Sequence, residues 1–461
     1  MTDRAPVTRS LAAFISGFTP SALPDEVMAY TRTLAKDGIG VLCAATHESV
    51  TAAQGIGDFA EEIAGNGPCT LIGRGQTVDP VNAALANGTL GYAADFEPHH
   101  PEAILHPIAV MIPTALALSE AENRTGAEAL AAVALGCEVT YRVSMAMNPR
   151  ALYDRGFHPS AIAGSFGAAA AAAFLLGLDE EQTVRALGLA GLQTSGLLAW
   201  QDDPREDARP FQMGLAARNG VMSAMLAKRG FGAPDRIFDG GHVVLDAYTA
   251  VADPAPLTAG LGVEWDGVME LAIKPYASVS FLHPALDALV GLLEDNALTS
   301  DQIDKISLRF AESGAHCVDD NPLKGHSAQY ILPVRAAMGR LSFLDLFIDR
   351  RETEPEVARL AASAEVVRDT GAFNDAFPDF YMGEVTLTLT DGRTLSATSK
   401  VARGYPEQPL TAEEMDRKFE DVTATVCSPS RRAALAAASE DLFNAPDVRT
   451  LTALLAQAPD A

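Results

Sequence analysis

Two stretches of this 461-residue chain set histidines against prolines at the starts of apolar helical patterns. The first, "NGTLGYAADFEPHHPEAILHPIAV", carries Asp95, Glu97, His99, His100 and His106. The second, "LYDRGFHPSAIAGSFGAAAAAA", places Tyr153, Arg155 and His158 in front of a nearly pure alanine run. A His/Asp/Glu group of the first kind can ligate a metal, but no HExxH or comparable helical ligand spacing occurs, so no metal is expected. A plain alternative is a solvated loop whose His-Pro pairs only start helices. A third reading is a pocket for an anion, because imidazoles near a helix N-terminus offer charge, N–H donors and the helix dipole to a carboxylate. In the second stretch Gly156 and Pro159 mark a turn that puts His158 in the first turn of the alanine helix. Tyr153, five residues earlier, reaches the same mouth only if that turn folds back.

Further candidates lie downstream. In "IKPYASVSFLHPALDAL", Lys274 ends an apolar stretch and His283 opens a helix. A lysine desolvated at a domain junction has a lowered pKa and can serve as a base, whereas a surface lysine would merely snorkel. "DARPFQMG" brings Arg209 to a helix start, suited to binding a carboxylate bidentately but unable to give up a proton. "HSAQYILPV" offers Ser327 and Tyr330.

The elements that must position these groups follow from pattern. Apolar residues recur at helical spacing through most of residues 8 to 265, with alanine and glycine on the apolar faces, which predicts a close-packed bundle. Asp179 and Gln182 after Gly177 signal a helix start, and Thr299 to Asp301 signal another. "DKISLRFAESG" and "GEVTLTLTDGRTLSATSKV" alternate instead, and Asp391-Gly392 between two such runs predicts a two-residue hairpin loop. Helical patterning returns in "TAEEMDRKFEDVTATV" and "SRRAALAAASEDLF". The expected organisation is mainly α: a helical domain over 1–266, an inserted α+β lid domain over 267–404, and C-terminal helices over 405–461 that pack back on the first domain.

Composition narrows the function classes. The hydrophobic fraction of 48% and charged fraction of 20% fit a globular chain. A net charge of −26 disfavours nucleic acid and anionic membranes as partners. An acidic protein that binds an anionic metabolite must concentrate its scarce cationic side chains in a pocket. The five cysteines are scattered, with no CxxC, so neither a disulfide framework nor a cysteine zinc site is expected. The N-terminal stretch lacks a basic segment followed by an apolar one, and the expected location is cytoplasmic.

Taken in order, "ALANGTLGYAADFE", "HPIAV", "YDRGFHPSAIAGSFGAAAAAAFLLGLD", "AARNGVMSAMLAKRGFGAP", "IKPYASVSFLHPALDAL", "SAQYILPV" and "GYPEQPLTAEEMDRKF" resemble the MmgE/PrpD family over nearly the whole chain. The resemblance implies a helical domain interrupted by a lid, a homodimer, an interdomain active site and no cofactor. Its implied substrate is a small di- or tricarboxylate, attacked by α-proton abstraction. The expected reaction is that of a 2-methylcitrate dehydratase-like hydro-lyase. An iminodisuccinate-like epimerase, a cis-aconitate-type decarboxylase and a non-catalytic carboxylate-binding scaffold are the alternatives. By the same resemblance Lys274 and Tyr153 are opposing proton-transfer groups with His158 beside them. Asp95, His106, Arg209, His283 and Tyr330 are the substrate-binding set. The chain departs from the family pattern at Tyr92, where a histidine is common, at Glu97 and Pro98 in the acidic motif, and at Arg209 and Gln212, which stand in "RPFQ" where "KPxH" is frequent.

Overall fold

The computed structural model describes residues 6–460, which form two compact units. The first comprises residues 6–93, 97–272 and 426–460, and the second residues 94–96 and 273–425.

The first unit is built from α1 (Val7–Gly17), α2 (Asp25–Ala44), α3 (Thr51–Ile63), α4 (Pro80–Gly91), α5 (Pro107–Glu122), α6 (Gly126–Met147), the short α7 (Pro149–Asp154), α8 (Pro159–Leu176), α9 (Glu180–Gly191) and α10 (Ala208–Lys228). At its centre lies α8, the alanine helix, buried at every residue except Phe174. Pro159 suits its first position, where no backbone donor is needed, and Gly177 ends it in the left-handed conformation with φ of 64°. Small side chains let α6 and α10 close on it. A Cβ on Gly220 of α10 would meet Ala168 Cβ at 2.3 Å, and one on Gly167 would meet Gly136 O of α6 at 2.5 Å. Helices α6 and α8 are long and apolar enough to span a bilayer, but 89% and 94% of their most apolar windows are buried inside the protein, as central core helices are. The capping box at Asp179 and Gln182 opens α9 as the sequence predicts.

The unit is not wholly helical. Strands β1 (Asn66–Leu71) and β2 (Gln76–Val78) form an antiparallel hairpin that its Gly, Pro and Cys content did not advertise.

In the second unit α11 (His283–Asp295), α12 (Ala328–Met338) and α13 (Pro355–Ser363) accompany a four-stranded sheet. Its strands are β3 (Ile303–Ala311), β4 (Glu365–Asp369), β5 (Gly383–Leu389) and β6 (Thr394–Ser399), in the order β4-β3-β5-β6. The β3–β4 pair is parallel and the other two are antiparallel. Apolar residues of one sheet face, including Ile306, Leu308, Val385 and Leu387, share a core with Leu286 and Leu289 of α11.

Two local expectations change. Thr299 does form a capping box with Gln302, but the turn it opens is a single 3-10 turn, Ser300–Gln302, that leads into β3. The hairpin at Asp391-Gly392 is present, but Leu389 N–H donates to Arg393 O, which leaves three loop residues with Gly392 at φ 86°.

The unit boundaries also differ from 267 and 404. Residues 267–272 stay with the first unit because Gly267 N–H donates to Glu138 and Ala272 exchanges two backbone bonds with His99. Residues 405–425, including α14 (Ala412–Thr423), join the second because Ile273 N–H donates to Gly404 O at 2.8 Å and Lys418 reaches the Phe96 carbonyl. Gly404 has φ of 89°, and a Cβ there would lie 1.9 Å from Ile273 O, so this approach requires glycine. Only the tail with α15 (Pro429–Glu440) and α16 (Arg449–Ala456) returns to the first unit.

Candidate active site

In the first unit, two long helices begin at a histidine followed by proline: His106 caps α5 and His158 caps α8. Both rings lie near Tyr92, at the end of α4, with centroid separations of 4.6 Å for His106 and 6.1 Å for His158. Arg209, in the first turn of α10, lays its guanidinium 5.0 Å from the Tyr92 ring and 5.1 Å from the Trp200 ring. It is 3% exposed, and Glu206 approaches it at 3.3 Å. Cation–π contact on two rings fixes the plane of this planar cation. His99 stacks on His106 at 5.9 Å.

The two capping histidines have different supports. His106 Nδ1 lies 2.7 Å from Oε1 of the fully buried Glu97, and its backbone N–H donates to Ser160 Oγ. Glu97 Oε2 is buried without a hydrogen-bond partner. His158 Nδ1 lies 3.0 Å from Oε1 of Gln212, a neutral amide.

The second unit holds a different polar group. Lys274, 1% exposed, donates to Asp95 Oδ1 at 2.5 Å and to the Asp95 carbonyl at 2.7 Å. Asp95 has φ of 50°, a left-handed conformation that aspartate tolerates better than most residues. A second buried lysine, Lys418 of α14, donates to the Phe96 carbonyl at 2.9 Å and stands 4.1 Å above the Phe96 ring. Two ammonium groups thus hold residues 95 and 96. Nearby His283 is fully buried, donates through Nε2 to Ser278 O and is pushed down to about 3, chiefly by burial and then by Lys274. It is a neutral ring in this environment.

The sequence-predicted set therefore divides. His106, His158 and Arg209 come together in the first unit; Asp95, Lys274 and His283 come together in the second. Tyr153, on α7, is half-buried, with its hydroxyl 3.4 Å from Gln201 Nε2. Lys274 is not isolated, as desolvation alone would leave it: its amine nitrogen donates to the Asp95 carboxylate and carbonyl. Tyr330 is a correction. Its hydroxyl is buried, donates to Asp345 O at 2.6 Å and accepts from Arg350 N–H at 3.1 Å, so it ties the segment after α12 together and has no donor left for a substrate. His100 is likewise structural, stacked on Tyr141 and lowered to about 4 by burial.

Trp200 and Lys418 escaped sequence reasoning, and Tyr92 and Gln212 were visible only as departures from a motif. Asp95, Glu97 and His106 are residue types that a divalent cation takes, but Asp95 already pairs with Lys274 and Glu97 with His106.

A mainly helical chain with a smaller α+β part, carrying buried imidazole, guanidinium and ammonium groups against a strongly acidic whole, has the makings of a protein for small anions. The MmgE/PrpD N-terminal domain profile matches residues 9–256 and the C-terminal domain profile residues 276–443. The chain belongs to the MmgE/PrpD family. It is 28% identical to a cis-aconitate decarboxylase-like protein of Aspergillus oryzae, over 99% of each chain. It is 26% identical to cis-aconitate decarboxylase of Aspergillus terreus, over 92% of this chain and 91% of the relative, and 26% identical to that of Homo sapiens, over 97% and 94%.

Proposed function

We propose that this chain is a lyase acting on a small polycarboxylate, and that decarboxylation of an unsaturated tricarboxylate such as cis-aconitate is its first candidate reaction. The observation that carries the reading is the convergence of Arg209, His106 and His158 on Tyr92 in a protein of net charge −26. Clustered cations repel one another, and a bound anion offsets that repulsion. The names of the relatives move the emphasis from the dehydration expected from the family at large to decarboxylation.

In this reading Arg209 receives one carboxylate through its fork, and the N-terminal ends of α5 and α8 add partial positive charge for a second. When the bond to carbon dioxide breaks, its electron pair spreads into the adjoining unsaturated carboxylate, and preorganised cations stabilise the charge that develops there. A proton then returns to carbon. His106 is the proposed donor, with Tyr153 as a further acid and His158 as a relay that takes up a proton and passes it on. Dehydration and epimerisation begin instead with removal of a proton α to a carboxylate, for which an imidazole in its neutral form is the suited acceptor.

Incubation with cis-aconitate, 2-methylcitrate, citrate and iminodisuccinate in deuterated water separates these outcomes by released carbon dioxide, by a new double bond or by deuterium at carbon. Carbon dioxide release from cis-aconitate with one deuterium in the product is expected. Ligand-induced thermal stabilisation with no turnover of any of the four would replace the enzyme reading with that of a carboxylate-binding protein.

A further inference from the structure

We infer that Gln212 decides which nitrogen of His158 carries the ring proton, and thereby makes Nε2 the proton-accepting atom of that ring. The inference rests on the lyase reading for the reaction that Nε2 serves, but the tautomer follows from hydrogen bonds alone. Gln212 Nε2 donates to the Leu197 carbonyl at 2.9 Å. A carbonyl can only accept, so the amide nitrogen must lie on that side and Oε1 on the other. Oε1 faces His158 Nδ1 at 3.0 Å, and an amide oxygen also only accepts, so Nδ1 must bear hydrogen. A neutral imidazole has one N–H, which leaves Nε2 as the acceptor.

The reference point of this relay is itself fixed. Phe157 and Leu197 form a short antiparallel bridge, His158 N–H donates to Gly196 O at 3.1 Å, and Leu198 N–H donates to Gly156 O at 2.9 Å. Gly196 is pressed against α8 so closely that a Cβ would stand 2.7 Å from Ala161 Cβ. The Leu197 carbonyl therefore cannot turn away without breaking the bridge that also carries His158.

The contrast with His106 gives the arrangement its chemical meaning. At His106 the partner of Nδ1 is a carboxyl oxygen of Glu97, whereas at His158 it is an amide oxygen, which can only accept. The amide partner is what fixes the His158 tautomer and leaves Nε2 to take a proton. The charged and titratable groups around His158 are Arg209 with Glu206 from the start of α10, Tyr92 from the end of α4, and His106 with Glu97 beyond the Tyr92 ring. Asp154 and Arg155 of the preceding turn are exposed, and the Arg155 guanidinium lies over Phe157. Gln212 is a positioning residue, acting through His158.

The test uses Gln212→Glu and Gln212→Met in the full chain. In Gln212→Glu a carboxylate replaces the amide on Nδ1, the ring keeps its second proton to higher pH, and the acid limb of kcat/KM should move up by about one pH unit. In Gln212→Met the ring loses its reference, and kcat should fall about tenfold with KM changed less than about threefold. Histidine-selective 15N labelling with long-range proton–nitrogen correlation reads the tautomer directly, the His158 signals being assigned by their loss in His158→Asn. The Nδ1–H form is expected in the unsubstituted protein and a mixture of tautomers in Gln212→Met. Because this spectrum needs no turnover, a protein inert towards all four carboxylates would sink the lyase reading while the spectrum still decides the role of Gln212. An Nε2–H ring in the unsubstituted protein, or a tautomer indifferent to Gln212→Met, would overturn the inference. So would an unmoved acid limb in Gln212→Glu.

Discussion

In the second unit the Lys274 ammonium sits on both the carbonyl and the carboxylate of Asp95, and Lys418 holds the next carbonyl along, so buried charge is locked to backbone. In the first unit His106, His158 and Arg209 are held by side chains and aromatic rings, and the proton positions depend on one carboxylate and one amide. The first arrangement ties charge to backbone; the second leaves proton position to two side chains. Closure of a buried charge pair thus holds backbone in one unit, while adjustable polar support would serve the proposed chemistry in the other.

The largest expected effect comes from opening the locked pair. Lys274→Met leaves the Asp95 carboxylate buried without its cation and should cost about 3–5 kcal/mol, whereas Lys274→Met with Asp95→Asn should recover most of it. Urea unfolding of the three proteins checks this, read by hydrogen exchange in β3 and β5. Equal losses in the single and double variants would mean that packing of the lysine stem, and not charge, holds this segment.

Acidification should separate the units next. The folded pKa of His283, about 3, lies below its unfolded value, so its contribution is fully present above about pH 6.5 and is lost as pH falls. By pH 5 this is about 2 kcal/mol. His100 acts in the same direction in the first unit, but Glu138 there is pushed up to about 7 by burial, takes up a proton over the same range and offsets the loss. Asp287, also raised by burial, gives the second unit a counterweight of the same sign. Peptides of β3 and β5 should therefore lose protection before those of α8 between pH 7 and 5, after correction for intrinsic exchange rates. Simultaneous loss would show that the units titrate as one.

A third substitution probes the rigid support of the adjustable site. Gly220→Ala drives a methyl against Ala168 Cβ, and overpacking of this kind should cost about 1–3 kcal/mol. The loss should be confined to the first unit and accompanied by a fall in kcat, since α8 and α10 carry His158, Arg209 and Gln212. Unchanged protection of α8 would mean that the two helices part without strain.

How much of this was legible in the sequence depended on range. The alanine helix, its proline start and its glycine stop are local signals, and His158 follows from them. Arg209 was legible as a candidate anchor because guanidinium chemistry is unambiguous. Gln212 meets His158 across 54 residues, and Trp200 meets Arg209 only once the chain has turned into α10; no spacing rule encodes either. The β1–β2 hairpin was missed because "NGPCTL" does not alternate. Residues 405–425 were assigned to the wrong unit because amphipathic pattern tells that a helix packs, not on what. For Lys274 burial was one of two readings, and its partner Asp95, 179 residues away, is announced by no local pattern.

Tyr330 offers the smallest effect and a control on this whole contrast. As a substrate ligand its hydroxyl would face a pocket; in the structure it faces Asp345 O and Arg350 N–H, with the pKa pushed up to about 12 chiefly by burial. Tyr330→Phe leaves a buried carbonyl and a partly buried N–H each short of a partner, which should cost the second unit about 1–2 kcal/mol. Because the lost bonds go to backbone beyond α12, KM and kcat for the accepted polycarboxylate should stay within about twofold. A rise in KM of about tenfold or more with stability unchanged would instead return Tyr330 to the substrate-binding set, and the division between a locked unit and an adjustable one would then fail at this residue.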